Sequence, residues 1–414
     1  MDCFPFTNGA LHAEGVELER IATEVGTPAY VYSSAALGNA FRAWTSAFAG
    51  VPHRICYSVK ANSNLAVLGL FRSLGSAFDV VSGGELERVL RAGGRASDVV
   101  FAGVGKTDAE IAQALDAKIL MFNVESEEEL ERLSEIAVTK GTRAPIAVRV
   151  NPDVDPQTHP YISTGLKSSK FGIAIARARD VYARAGALPG VEVVGLDAHI
   201  GSQLTSTSPF RDAFHKVAEL VGQLRADGHA IRHLDLGGGL GITYKNEVPP
   251  SPADYAREVL SVVGHLGLEL LLEPGRSLVG NAGVLLTRVL FRKETEAKRF
   301  VIVDAGMNDL IRPSLYGAYQ EIHAVNQRHD TNARVADVVG PICESGDFLA
   351  KDRPVPEVDR GELLAVMSAG AYGFVMSSNY NSRPRPPEVL VDGTSWRVVR
   401  TRETFDDLVR GEVV

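Results

Sequence analysis

Eight short apolar runs recur between residues 55 and 272, and every one but the last is followed by a stretch long enough for a helix. No other feature of the chain limits its fold so sharply. The runs are Ile55–Val59, Phe78–Val81, Val99–Ala102, Ile119–Phe122, Ile146–Val150, Gly195–Ile200, His233–Leu236 and Glu269–Leu272. Each is β-branched or apolar and stops at a turn-former or a polar residue, as a buried parallel strand does. Eight β/α units in succession predict a closed (β/α)8 barrel, an α/β fold, over residues 29–280.

Beyond about residue 280 the rhythm changes. Leu285–Lys293, Phe300–Asp304, Val335–Val339, Leu363–Ser368, Glu388–Val391 and Trp396–Arg400 read as strands joined by turns, with little helix between them. This predicts a C-terminal antiparallel β-sandwich or barrel-like domain over 281–414. Residues 1–28 precede the barrel and are expected to join that β domain.

Composition removes several function classes. Of 414 residues, 43 are Lys or Arg and 51 Asp or Glu; the net charge of −8 argues against nucleic acid or an anionic membrane as partner. Cys3, Cys56 and Cys343 are too scattered for a zinc motif or a disulfide framework, which fits a reducing cytoplasm and no structural metal. The N-terminus lacks the basic-then-apolar pattern of a signal peptide, and no run reaches the roughly 18 apolar residues of a membrane span.

In a β/α barrel the active site is built at the C-terminal ends of the strands. There this chain carries Lys60, Ser82-Gly83-Gly84-Glu85, Asn151-Pro152, His199-Ile200-Gly201-Ser202, Gly237-Gly238-Gly239 and Glu273-Pro274-Gly275-Arg276. Taken singly, each has an ordinary reading: a solvated lysine, a core histidine, a tight turn, a structural ion pair. Together they supply an amine nucleophile in a desolvating mouth, backbone amides for a phosphate, a flat imidazole and a carboxylate. Pyridoxal phosphate needs that set. Two competing motifs fail. Gly105-Lys106-Thr107 lacks the glycine a Walker loop requires, since that position is Val100, and Gly237–Gly241 puts Ile242 or Tyr244 where the dinucleotide fingerprint needs glycine. Cys56 reads as a small core residue, and Glu127-Glu128-Glu129 as a solvated helix face.

With these residues in view, the chain resembles the diaminopimelate decarboxylase family, in the alanine-racemase-like group of pyridoxal-phosphate enzymes. The resemblance rests on Tyr57-Ser58-Val59-Lys60-Ala61-Asn62, Phe78-Asp79-Val80-Val81-Ser82-Gly83-Gly84-Glu85, Thr164-Gly165, Ser169-Lys170-Phe171-Gly172-Ile173 and His199-Ile200-Gly201-Ser202-Gln203. Asp235–Gly239, Glu273–Arg276, Arg312-Pro313-Ser314-Leu315-Tyr316, Gly340–Asp347 and Ala371-Tyr372-Gly373 extend it. It implies pyridoxal 5'-phosphate held by Lys60 as a Schiff base, with His199 against the ring, Glu273 on the ring nitrogen and Asp79 in the cofactor site. Gly237, Gly238, Gly239, Gly275 and Arg276 would hold the phosphate, with Ser202 and Tyr372 nearby. Arg276, Arg312 and Tyr316 would grip a distal carboxylate, and Glu344 a distal ammonium. Cys343 would be the proton donor, delivered by the other subunit of a homodimer. The implied reaction is decarboxylation of meso-2,6-diaminopimelate to L-lysine, the last step of lysine biosynthesis. Three readings compete with it. A decarboxylase of ornithine, arginine or carboxynorspermidine would not need a carboxylate grip. A racemase would carry arginine at the ring nitrogen, and a non-catalytic cofactor-binding protein would not need the β domain.

Overall fold

In the computed structural model, residues 3–154, 169–327 and 333–414 are described. The Thr164-Gly165 motif lies outside them. The chain divides into two compact units: residues 40–242 with 248–277, and residues 1–39 with 243–247 and 278–414.

The first unit is the barrel. Its strands are β1 (His53–Ser58), β2 (Ala77–Val80), β3 (Val99–Phe101), β4 (Met121–Val124), β5 (Ala144–Asn151), β6 (Val191–Asp197), β7 (His233–Asp235) and β8 (Glu269–Leu272). All neighbours pair in parallel, and β8 returns to β1 through Leu270–His53, Leu271–Arg54 and Leu272–Ile55, which closes the sheet. One layer of the interior is filled by Cys56, Ala77, Val100, Met121, Ala147, Val194 and Leu271, each from a different strand. Cys56 is therefore a core thiol, wholly buried.

Helices between the strands begin where the sequence supplies caps. Ser82 Oγ accepts from the Glu85 N–H at the start of helix Gly83–Arg91, and Thr107 and Glu110 form a reciprocal box ahead of Asp108–Ala117. Ser126 caps helix Glu127–Thr139 in the same way, with three glutamates in its first turn, where the helix dipole favours negative charge.

Several strand limits differ from the sequence reading. β1 ends at Ser58, because the Asn62 N–H bonds back to the Val59 carbonyl and folds Val59–Ala61 into a 3-10 turn that carries Lys60. β4 starts at Met121 rather than Ile119, since the Ile119 N–H still bonds to the Ala114 carbonyl of the preceding helix. β6 runs from Val191 and leaves the sheet after Asp197, so His199 stands on a loop.

The second unit holds the β sheet, and Ala29–Ser33 belongs to it, whereas the sequence reading gave that segment to the barrel. This strand pairs antiparallel with Gly283–Glu294 and parallel with Glu388–Asp392. The remaining pairings are antiparallel, except that Phe300–Ile302 runs parallel to Asp337–Val339. A core including Leu18, Ile21, Val31, Val284, Leu286 and Val389 joins the N-terminal helix Leu18–Val25 to the sheet.

Candidate active site

Lys60 follows β1, and its Nζ donates to Asp79 Oδ2 at 2.7 Å from the fully buried end of β2. Ser58 Oγ donates to the same oxygen at 2.8 Å, so the carboxylate is fixed before it meets the lysine. Glu273 follows β8 and is buried. Its Oε1 has no hydrogen-bond partner among the described residues. Burial pushes the Glu273 pKa up; Asp235 and Asp79 push it further, while Lys60 and Arg149 pull against them.

His199 lies on the loop after β6. Its Nδ1 accepts from the Gly238 N–H at 3.0 Å. Desolvation, then Arg149 and Lys60, hold its pKa well below the usual value, so the imidazole is neutral at pH 7. The loop after β7 passes so close that only glycine fits: a Cβ on Gly237 would lie 2.6 Å from His199 Nδ1, and one on Gly238 would lie 2.2 Å from the Glu273 carbonyl. Gly237 also has φ +62, a left-handed conformation that glycine adopts without strain. Gly275 packs on Ser58 and Ala61, whose Cβ atoms a Cβ there would meet at 3.0 and 3.1 Å, and Arg276 Nη2 donates to Ser202 Oγ at 3.2 Å. Lys60, Asp79, His199, Ser202, Gly237, Gly238, Gly239, Glu273, Gly275 and Arg276 all lie at the strand ends of the barrel unit.

Beneath them lies a group of buried ionisable side chains, of which the sequence reading quoted Asp235 and Glu85 within motifs, without a role, and missed the rest. Asp197 and Asp235 are register partners on β6 and β7. Asp235 Oδ1 accepts from the Gly237 N–H and Oδ2 from Asn123 Nδ2, each at 3.0 Å. Burial, then the Asp197 charge, pushes the Asp235 pKa up to about 8. Arg149 on β5 donates to Glu125 at 2.9 Å and lies 4.0 Å from Asp197. Glu85 is likewise raised, to about 7, chiefly by burial, with its oxygen accepting from the Val81 N–H.

Lys106 is structural. Its buried Nζ donates to the carbonyls of Gly103 and Asn123 and to Glu129. Glu129 thus turns inward, and the acidic run is not uniformly solvated as its sequence suggested.

In the β unit, Arg312 is buried with its guanidinium 4.5 Å above the Tyr244 ring. The Gln320 amide, oriented to satisfy both of its ends, accepts from Arg312 Nη1 at 2.9 Å. Tyr316 ends the same short helix, Arg312–Tyr316. Cys343 and Glu344 are exposed. The Cys343 N–H donates to Asn381 Oδ1 at 2.8 Å, and the Tyr380 hydroxyl bonds Glu344, two partners the sequence did not single out. Tyr372 sits at φ +54.

The family described as "Pyridoxal-dependent decarboxylase, pyridoxal binding domain" matches residues 34–280. The chain is 58% identical over 412 residues to the diaminopimelate decarboxylase of Pseudomonas aeruginosa, covering 100% of this chain and 99% of that one. It is 54% identical to the diaminopimelate decarboxylase of Vibrio cholerae, covering 99% of this chain and 98% of the other. Among solved structures, Helicobacter pylori diaminopimelate decarboxylase complexed with L-lysine superimposes with a TM-score of 0.92 at 44% identity, over 95% of this chain and 98% of that one.

Proposed function

This chain belongs to the pyridoxal-dependent decarboxylases, and we propose from that premise that it converts meso-2,6-diaminopimelate to L-lysine and carbon dioxide, the last step of lysine biosynthesis. Its cofactor is pyridoxal 5'-phosphate. The residues fit that group: the buried Glu273 Oε1, without a hydrogen-bond partner among the described residues, is an acceptor for a protonated ring nitrogen, and this observation carries the reading. The loop Gly237–Gly239, too tight for any side chain, presents backbone to a phosphate.

When bound, the cofactor supplies an electrophilic aldehyde and a ring that takes up the electron pair left by a departing carboxylate. The chain supplies the rest. Lys60 is the amine that holds the cofactor, and Asp79 keeps that amine oriented. An ionised Glu273 keeps the ring nitrogen protonated; its raised pKa means that it becomes a strong acceptor only when a positive partner arrives. His199, neutral, lends a flat face without adding positive charge beside the ring. Arg276 and Ser202 join the glycines at the phosphate.

The substrate grip is assigned from the family motifs. Arg312 and Tyr316, with Arg276, take the distal carboxylate, for which a guanidinium fork is suited; Glu344 takes the distal ammonium, with Tyr372 alongside. Cys343 Sγ gives the proton that replaces carbon dioxide, and it reaches the site from the second subunit of a homodimer. An exposed thiol on a loop tied down by Asn381 supports that role. Among the described residues no helix is long and apolar enough to cross a membrane. Cys3, Cys56 and Cys343 form no disulfide, which supports a cytoplasmic location.

The test is a comparison of kcat/KM for meso-diaminopimelate, L-ornithine, L-arginine and carboxynorspermidine with the holoenzyme. The reading expects turnover of the first alone. Efficient release of carbon dioxide from any of the others would transfer the assignment to the related decarboxylases.

A further inference from the structure

Two loops of the barrel unit form the cradle, one after β6 and one after β7, and they are stitched together beyond the glycines. The Leu204 N–H donates to the Gly239 carbonyl and the Gly241 N–H to the Leu204 carbonyl, each at 2.9 Å, so Leu204 and Leu240 form a parallel bridge. The next rung is made by a side chain. Gln203 Nε2 donates to the Ile242 carbonyl at 2.6 Å, and Gln203 Oε1 accepts from the Ile242 N–H at 3.1 Å. The carboxamide thus pairs with both backbone polar groups of Ile242, as a residue of a neighbouring strand would, and Asn or Ser is too short to do so. Gln203 has φ +61, a left-handed conformation that is strained for any residue but glycine and that turns its side chain toward Ile242. Gly241 leaves space for it: a Cβ there would lie 2.9 Å from the Leu204 carbonyl and 3.2 Å from Gln203 Cδ.

We propose that Gln203 is a positioning residue that locks the Gly237–Gly239 loop to the His199–Ser202 loop, so that the cofactor's phosphate meets a cradle already formed. The proposal rests on the reading of these loops as the phosphate site. Gln203 acts through the loops, and its effect is confined to ligands that carry the phosphate.

The measurement is the dissociation constant of pyridoxal phosphate, and of pyridoxal without its phosphate, by absorbance titration of the cofactor-free protein. Gln203→Gly removes both bonds while relieving the left-handed strain. The affinity for pyridoxal phosphate should fall about tenfold, the scale of one or two net hydrogen bonds, while the affinity for pyridoxal stays unchanged. Gln203→Glu is nearly isosteric and keeps the bond from the Ile242 N–H, but its ionised oxygen faces a carbonyl. Its deficit relative to wild type should shrink as pH falls from about 8.5 to about 6, as the new carboxyl takes up a proton and donates it. Equal losses for both ligands, no loss at all, or a Gln203→Glu deficit indifferent to pH would overturn the proposal. Wild-type protein that binds pyridoxal as tightly as pyridoxal phosphate would instead overturn the cradle reading itself.

Discussion

At the residue scale the account depends on Glu273 and Lys60. A charge-assisted hydrogen bond contributes roughly 1.5–3 kcal/mol, so Glu273→Gln should slow decarboxylation by about 10- to 100-fold while cofactor affinity changes little. Steady-state kinetics beside a cofactor titration separate the two effects, and near-wild-type turnover would remove Glu273 from the chemistry. Lys60→Ala should abolish the near-violet absorbance of the cofactor-loaded protein; a variant that keeps that colour would show another residue holding the aldehyde. Both residues were legible in the sequence because a strand end in a β/α barrel is a site whatever the side chain. Asp197, Asn123 and Arg149 were not, because their partners lie on other strands and burial is visible only once the sheet closes; Asp235 was quoted in a motif without a role. Gln203 was quoted as part of a motif without a role, since its φ and its Ile242 partner are properties of the folded loop.

At the element scale, two features carry consequences. Lys106 ties the turn after β3 to the end of β4 and to helix Glu127–Thr139 through a buried ammonium. Lys106→Ala strands Glu129 and two carbonyls, and should destabilise the protein by about 3–5 kcal/mol, read as a lowered denaturant midpoint with an unchanged slope. The β6 and β7 carboxyls set a pH dependence. Asp235 has its folded-state pKa raised to about 8, so the folded state binds a proton that the unfolded chain has already lost above its ordinary range. Its contribution to the stability of the cofactor-free protein is therefore full in acid, and is lost as pH rises toward and through about 8. Asp197→Asn removes the neighbouring charge, which lowers that pKa, and removes a second carboxyl whose own pKa burial has raised, so the variant should lose less stability than wild type between pH 5 and 8, by at least ~1.4 kcal/mol for each unit that the Asp235 pKa falls. Parallel pH curves for the two proteins would show that the pair is not coupled. Strand existence was readable from apolar runs, but strand limits were not. Ile119 lies ahead of its strand and His199 beyond one, where a hydrogen bond to a helix or a neighbouring loop outcompetes the sheet.

At the scale of the whole molecule, the sequence separated a barrel from a β-rich region, yet it misassigned Ala29–Ser33. That strand is decided by partners some 250 residues away, Gly283–Leu286, which local patterning cannot report. The brief return of Thr243–Glu247 to the β unit was equally hidden; there Tyr244 lies under Arg312 and the Thr243 carbonyl accepts from Asn281. If active sites are shared across a homodimer, Lys60→Ala and Cys343→Ala proteins are each inactive, and co-expression should restore part of the wild-type activity through hybrids with one intact site. Verified hybrids with no activity would put Cys343 within its own chain's site or outside the chemistry.

The most direct measurement is to incubate holoenzyme with meso-diaminopimelate in deuterium oxide and follow carbon dioxide and L-lysine together. The account predicts the two in equal amounts, with one deuterium on the carbon that lost its carboxylate, and neither product from Lys60→Ala. Cofactor-loaded wild-type protein that leaves meso-diaminopimelate intact would contradict it.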